Sequence, residues 1–222
     1  MVEQASGSER RIQFVTNFYD ENGKSTFRFS INIYYIDSSA VEQINKINSV
    51  TDTTGRTTQT ETLLSYRYID LAKKLYMDYQ TFADTAKPIT KQLLPDSGMR
   101  DYGWSFYTDK TLKVQESSYH PLSDTIIDNL KYQRIRFNLT NEDPEEMYTV
   151  AHLQCEIKDQ LFSIIKTISK KNNCCVTKIY SYRTGKTTPF ASQEVIFLSD
   201  TLTSNELNVI STWQKNARTS QR

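Results

Sequence analysis

The sequence predicts an α+β protein built on a curved antiparallel meander sheet with about two packing helices. Three observations carry this. Apolar residues alternate with period two through segments that turn residues separate, the mark of hairpins with one buried face. Apolar residues recur with a clear helical period in only two late segments, beginning at Leu161 and Leu207. Consecutive hairpins with few helical crossovers exclude a parallel α/β sheet.

The elements follow in chain order. Residues 1–10 read as a flexible polar arm, and 11–222 as a single α+β domain. Arg11 to Tyr19 is strand-like, and the Asn22-Gly23 pair in the following turn accepts positive φ angles. Phe27, Phe29, Ile31, Ile33 and Tyr35 then share one face, opposite Arg28, Ser30, Asn32 and Tyr34. Ser38 and Ser39 can cap a short helix through Val50, with Val41, Ile44 and Ile47 at three-residue spacing; a strand is the alternative. Residues 51–62 hold seven threonines, which suits a polar connection.

Leu63 to Phe82 reads as a second hairpin turning at Leu71-Ala72-Lys73-Lys74. Pro88, Pro95 and Gly98 make residues 83–101 mainly a loop. Candidate strands follow at Tyr102 to Tyr107 and Leu112 to Tyr119. Asp124 to Leu139 enters a third hairpin, and Met147 to Ile157 returns. Leu161, Phe162, Ile164, Ile165 and Ile168 predict one helix. Val176 to Tyr182 and Glu194 to Leu198 read as strands. The last helix opens on a Thr203 to Glu206 capping box with Leu202 and Leu207 as its staple, and buries Leu207, Ile210 and Trp213.

Composition narrows the functional classes. A formal charge of +1 lacks the basic excess of a dedicated nucleic-acid binder. No apolar run approaches the ~20 residues of a transmembrane helix. The six glycines form no P-loop, GxGxxG or GxSxG motif, which disfavours nucleotide-dependent enzymes and α/β-hydrolases. Of the two histidines, His120 precedes Pro121, and His152 lies three strand residues from Cys155, hence on the opposite face. No catalytic set, metal site or cofactor is indicated. Asn138-Leu139-Thr140 matches the N-glycosylation pattern inside a predicted strand.

Two side-chain groups are singled out. Cys155 can bridge to Cys174 or Cys175, leaving one thiol outside the bond and implying an oxidising compartment. Tyr66, Tyr68 and Tyr79 can share a face with Met77 on the second hairpin. Such a face combines apolar area with polar tips, and it could grip an apolar small molecule or another protein. Half-buried sheet residues are the alternative, since Tyr favours strands by propensity alone.

The run Ser65-Tyr66-Arg67-Tyr68-Ile69-Asp70-Leu71-Ala72-Lys73-Lys74-Leu75-Tyr76 resembles the hairpin of GLPGLI-type and LolA-like bacterial envelope proteins. Asp124-Thr125-Ile126-Ile127-Asp128-Asn129-Leu130-Lys131-Tyr132 is similar to the segment leading into their next strands, with Asn129 where that pattern often has Gly. The resemblance implies a half-barrel closed by helices, which holds acyl chains in some members. It also implies a periplasmic or envelope location, with a signal peptide ahead of residue 1. The leading expectation is a non-enzymatic extracytoplasmic binding protein using an aromatic sheet face. A cytosolic interaction or immunity-type domain and an enzyme of another family are the competing expectations.

Overall fold

The computed structural model describes residues 10–36, 39–54, 57–70, 72–93, 114–115, 118–139, 145–157, 163–198 and 201–219. The strands are β1 Arg10–Tyr19, β2 Ser25–Ile36, β3 Ser39–Thr51, β4 Thr57–Asp70, β5 Leu75–Tyr79 and β6 Thr90–Leu93. They continue as β7 His120–Ile127, β8 Leu130–Phe137, β9 Met147–Gln154, β10 Cys175–Arg183 and β11 Ala191–Leu198. The helices are α1 Lys166–Asn172 and α2 Ser204–Thr219. All pairing is antiparallel, in the linear order β6-β5-β4-β3-β2-β1-β11-β10-β9-β8-β7 among the described residues. This is the expected α+β meander, unclosed, with two helices. Register shifts at Ile44/Asn45, Leu122/Thr125 and Val176/Lys178 add local bend and twist.

The chain divides into two compact units: Met1–Phe14, Ser30–Leu94 and Phe197–Arg222 form the first, Val15–Phe29 and Pro95–Ile196 the second. Each has its own core and helix. In the first, Val41, Tyr68, Leu75, Met77 and Tyr79 of the sheet pack against Leu202, Val209, Ile210, Trp213 and Ala217. In the second, Ile135, Phe137, Ala151, Leu153, Val176 and Ile179 pack against Ile165 and Ile168.

The turns follow backbone chemistry. Gly23 sits at φ 78°, and the Asp20 carboxylate accepts from the Asn22 and Lys24 amides. Asp128 and Asn129 take φ 51° and 63°, the two positive angles of a type I′ turn joining β7 to β8. The Thr203–Glu206 capping box forms as expected, with the Thr203 amide donating to the Glu206 carboxylate and the Glu206 amide to the Thr203 hydroxyl.

Residues 39–50 are strand, and the expected short helix is absent. The three-residue recurrence arises because Val41 and Ile44 point to opposite faces of β3, and both faces are buried there. The helix expected from Leu161 is also shorter than its apolar spacing. The Ile164 amide donates to the Val176 carbonyl at 3.0 Å, which holds the chain beside β10 until α1 starts at Lys166. Residues 1–9 of the expected arm, the candidate strand 102–107, and positions 161–162 lie outside the described residues. Of 112–119, Val114 makes an isolated bridge to Leu139.

Candidate functional site

Pairing register decides which aromatic residues share a face. Tyr66 lies opposite Tyr79 and Tyr68 opposite Met77, so the four side chains chosen from sequence do come together. Helix α2 covers them. Tyr68, Met77 and Tyr79 are fully buried, and Tyr66 is half-buried. Trp213 stacks on Tyr79 with centroids 3.8 Å apart and planes 2° from parallel. Phe82 meets Trp213 edge-on and also contacts Tyr34 and Tyr66.

Polar contacts fasten the helix. The Trp213 indole donates to the Ala83 carbonyl at 3.1 Å, Lys73 to the Ala217 carbonyl, and Asn208 to Asp84. Gln214 donates to the Ser39 hydroxyl, which itself bonds the Tyr68 hydroxyl. Arg11 clamps Glu206 through two bonds of 2.7 and 2.8 Å. Burial pushes the Tyr68 and Tyr79 phenols up to about 12. These rings are therefore neutral core residues and offer no exposed aromatic surface.

The second unit presents a different face. Opposite its apolar core, the strands align side chains in rows. Arg134, His152, Lys178 and Glu194 form one row across β8, β9, β10 and β11. Arg136, Val150, Tyr180 and Ser192 form the next, and Tyr148 pairs with Tyr182 beyond it. No described helix packs on these rows. The alternation that buries Ile135, Ala151 and Ile179 on one side sends this set to the other.

Ring and charge contacts order the rows. Tyr148 and Tyr182 stack at 5.1 Å and 10°, and the Arg136 guanidinium lies 4.1 Å from the Tyr148 centroid. His152 sits edge-on to both Tyr132 and Tyr180. Burial, then the Arg134 and Lys178 charges, lower its pKa to about 4, so it is neutral at pH 7. Its Nδ1 is buried without a hydrogen-bond partner among the described residues. Burial opposes the Lys178 charge, yet the Glu194 carboxylate beside it raises the Lys178 pKa overall. Burial also raises the Tyr132, Tyr180 and Tyr182 phenols. The rows thus carry three cations, one paired carboxylate and neutral rings.

Next to Tyr19, whose hydroxyl bonds Ser192 at 2.9 Å, lies a pocket of about 470 Å³. Asp20 and Glu21 line it from one hairpin, with Arg183, Lys186 and Phe190 from the other. Sequence reading missed both the rows and the pocket. The signal was present as alternation in Tyr148, Val150, His152 and in Lys178, Tyr180, Tyr182, but only the pairing register places these sets side by side.

Cys155 and Cys174 form a disulfide, and Cys175 is buried and takes no part in it. The bond ties the end of β9 to the start of β10. His120 is exposed at the start of β7, far along the strand from the turn. Asn138 is buried and its amide donates to the Met147 carbonyl, so the N-glycosylation triplet presents no accessible acceptor. Among the described residues no group of three His, Cys, Asp or Glu side chains could hold a metal, and no helix is long and apolar enough to cross a membrane.

No protein-family model matches the chain, and no curated protein matches it in sequence. Three solved structures are similar to it. An outer-membrane lipoprotein-sorting protein domain from Vibrio parahaemolyticus has 10% identity and a TM-score of 0.28, covering 95% of this chain and 92% of that one. A LolA superfamily protein from Nitrosomonas europaea has 8% identity and a TM-score of 0.26, covering 90% and 89%. A DUF1329 family protein from Desulfovibrio piger has 8% identity and a TM-score of 0.24, covering 89% and 86%.

Proposed function

We propose that the chain is a non-catalytic binding protein of an oxidising, extracytoplasmic compartment, and that it holds its ligand on the β8–β9–β10 face. The observation that carries the reading is the row arrangement: half-buried Tyr148, Tyr180 and Tyr182 beside Arg134 and Arg136 on a sheet face that no described helix covers. Rigid aromatic rings give contact area at small entropic cost, and guanidinium groups give direction. Placement on strands fixes both to within a side-chain rotamer. The disulfide supports the compartment, because such bonds persist where thiols are not kept reduced.

A cytosolic interaction domain is the competing reading, and the same bond separates the two. Alkylation without reductant followed by mass measurement should find one modifiable thiol after unfolding; three would place the protein in a reducing compartment.

The binding face is tested by magnetic resonance on the full chain with ¹³C-labelled tyrosine. Neutral and acidic oligosaccharides, a lysophospholipid and short peptides are added in turn. The reading expects a bound member to shift Tyr148, Tyr180 or Tyr182. A bound member that shifts only Tyr66, Tyr68 or Tyr79 instead returns the site to the aromatic residues beneath α2, which requires that helix to move.

A further inference from the structure

We infer that the β8–β9–β10 face takes an acidic polysaccharide, with sugar-ring faces on the tyrosines and carboxylates on Arg134 and Arg136; this rests on the reading that this face is the binding surface. Charge decides the sign of the ligand. Lys178 is committed to Glu194, whereas Arg134 and Arg136 have no carboxylate partner among the described residues. Arg134 spends its Nε donor on the Ser123 carbonyl, and its remaining N–H groups have no acceptor among the described residues. Arg136 lies over Tyr148 and has no hydrogen-bond acceptor among the described residues. Two residues apart on one strand, the pair is spaced about 7 Å along the sheet, two strand steps of about 3.4 Å. That is a ruler for charges repeated along an extended chain.

The rings decide its shape. An acyl chain needs aliphatic walls, and Val150, the one aliphatic residue in these rows, is buried. The half-buried material is instead phenol and guanidinium. With Tyr148 engaged by Tyr182 and Arg136, the half-buried Tyr180 and Tyr182 offer ring surface with hydrogen-bonding tips, which suits a ring that is apolar on its faces and polar at its rim. A carboxylated sugar ring has that form, and planar guanidinium groups donate to its carboxylate in two-point fashion. Nucleic acid shares the combination of rings and negative charge. The overall charge of +1 and a structural disulfide both disfavour it.

The test is calorimetric titration of the full chain at low salt with four probes. These are oligogalacturonate, its methyl ester, an oligothymidylate of equal charge, and phosphatidylcholine–phosphatidylglycerol vesicles. The inference expects oligogalacturonate to bind, and esterification, which removes charge but keeps the ring, to weaken it at least about tenfold. Arg134→Gln with Arg136→Gln should weaken it by a similar factor while the fold, checked by circular dichroism, is retained. If that pair fails to fold, Tyr182→Ala is the second variant, and raising salt on the unaltered chain is a third measurement. Failure of oligogalacturonate to bind, equal binding of the ester, or stronger binding of the oligothymidylate or vesicles overturns the inference. The labelled tyrosines separate the two layers. Another probe that shifts Tyr148 and Tyr182 keeps the binding face and removes the acidic sugar. Oligogalacturonate that binds without shifting them removes both.

Discussion

The two units use tyrosine in opposite ways. In the first, Tyr68 and Tyr79 lie beneath α2, with Trp213 stacked on one and a Ser39 bridge holding the other. In the second, Tyr148, Tyr180 and Tyr182 stand among arginine, lysine and histidine with no described helix upon them. Residue type and strand alternation are alike in both. The neighbours across the pairing differ. Met77 and Val41 flank the buried tyrosines, so water is excluded and packing sets their worth. Arg136 and Lys178 flank the others, so they keep access to solvent and to anything dissolved in it. An aromatic face therefore becomes core or surface according to what the adjacent strands supply and whether a helix packs upon it.

Trp213→Ala should show the largest effect. It removes a fully buried indole, its stack on Tyr79 and its bond to Ala83, and comparable truncations cost about 3–5 kcal/mol. Tyr182→Ala, at a half-buried surface position, should cost about 1 kcal/mol or less. Urea denaturation of both variants measures the contrast. Equal losses would mean that the second face is packed as tightly as the first.

The disulfide offers the next largest change. Cys155 and Cys174 are 19 residues apart, and opening a loop of that size releases chain entropy worth about 3 kcal/mol. Cys155→Ser with Cys174→Ser should lower the denaturation midpoint accordingly. The loss should fall on the second unit, where amide exchange around β9 and β10 should quicken more than around β4 and β5. Uniform quickening would mean that the two cores open together.

His152 sharpens the electrostatic side of the comparison. Its pKa is 6.5 when exposed and about 4 in the fold, where burial acts first and the Arg134 and Lys178 charges second. Tyr132 and Tyr180 frame the ring, and Glu194 is engaged by Lys178. The folded state binds fewer protons than the unfolded one between those values, so stability rises with pH there. The contribution is complete above pH 6.5, falls as pH drops below it, and is gone below about 4; in full it is about 3 kcal/mol. His152→Phe should flatten this slope at little cost at pH 7, because the ring makes no hydrogen bond through Nδ1 among the described residues. Denaturation midpoints at pH 7, 6 and 5 check it, and an unchanged slope would assign the effect to another group.

Much of the fold was legible from the residues, and the reasons are local. Gly23 specifies its turn because glycine takes φ 78° without strain, and Thr203 to Glu206 specifies a helix start because both donors are satisfied within four residues. The facing of Tyr66, Tyr68, Met77 and Tyr79 was legible from alternation about a short turn. Their covering was not. It depends on α2, more than a hundred residues away in sequence, and no spacing encodes that contact. The rows of the second unit were hidden for the same reason. Tyr148 and Tyr182 belong to strands separated by α1, and the bulge between Val176 and Lys178 resets which residues of β10 face His152. The helical spacing of Val41 and Ile44 misled because a strand buried on both faces can mimic a helical stripe.

The smallest expected change tests what holds α2 over the buried tyrosines. Thr203→Ala removes the capping hydroxyl that accepts from the Glu206 amide, while leaving the Thr203 backbone amide to bond the Glu206 carboxylate. The loss should be about 1 kcal/mol. Glu206 also receives Arg11, and its pKa is lowered because these hydrogen bonds outweigh the burial that would raise it. Its contribution is therefore present above the unfolded carboxylate pKa and is lost as pH falls through the lower folded value. Thr203→Ala should weaken that acid sensitivity slightly, and Glu206→Gln should remove it. If α2 frays when its first turn is uncapped, tryptophan fluorescence in a Trp104→Phe background will report Trp213 leaving Tyr79 before global unfolding. A single transition, with fluorescence and circular dichroism coincident, would mean that the helix and the sheet beneath it melt as one core, and that the first aromatic face opens to no ligand short of unfolding.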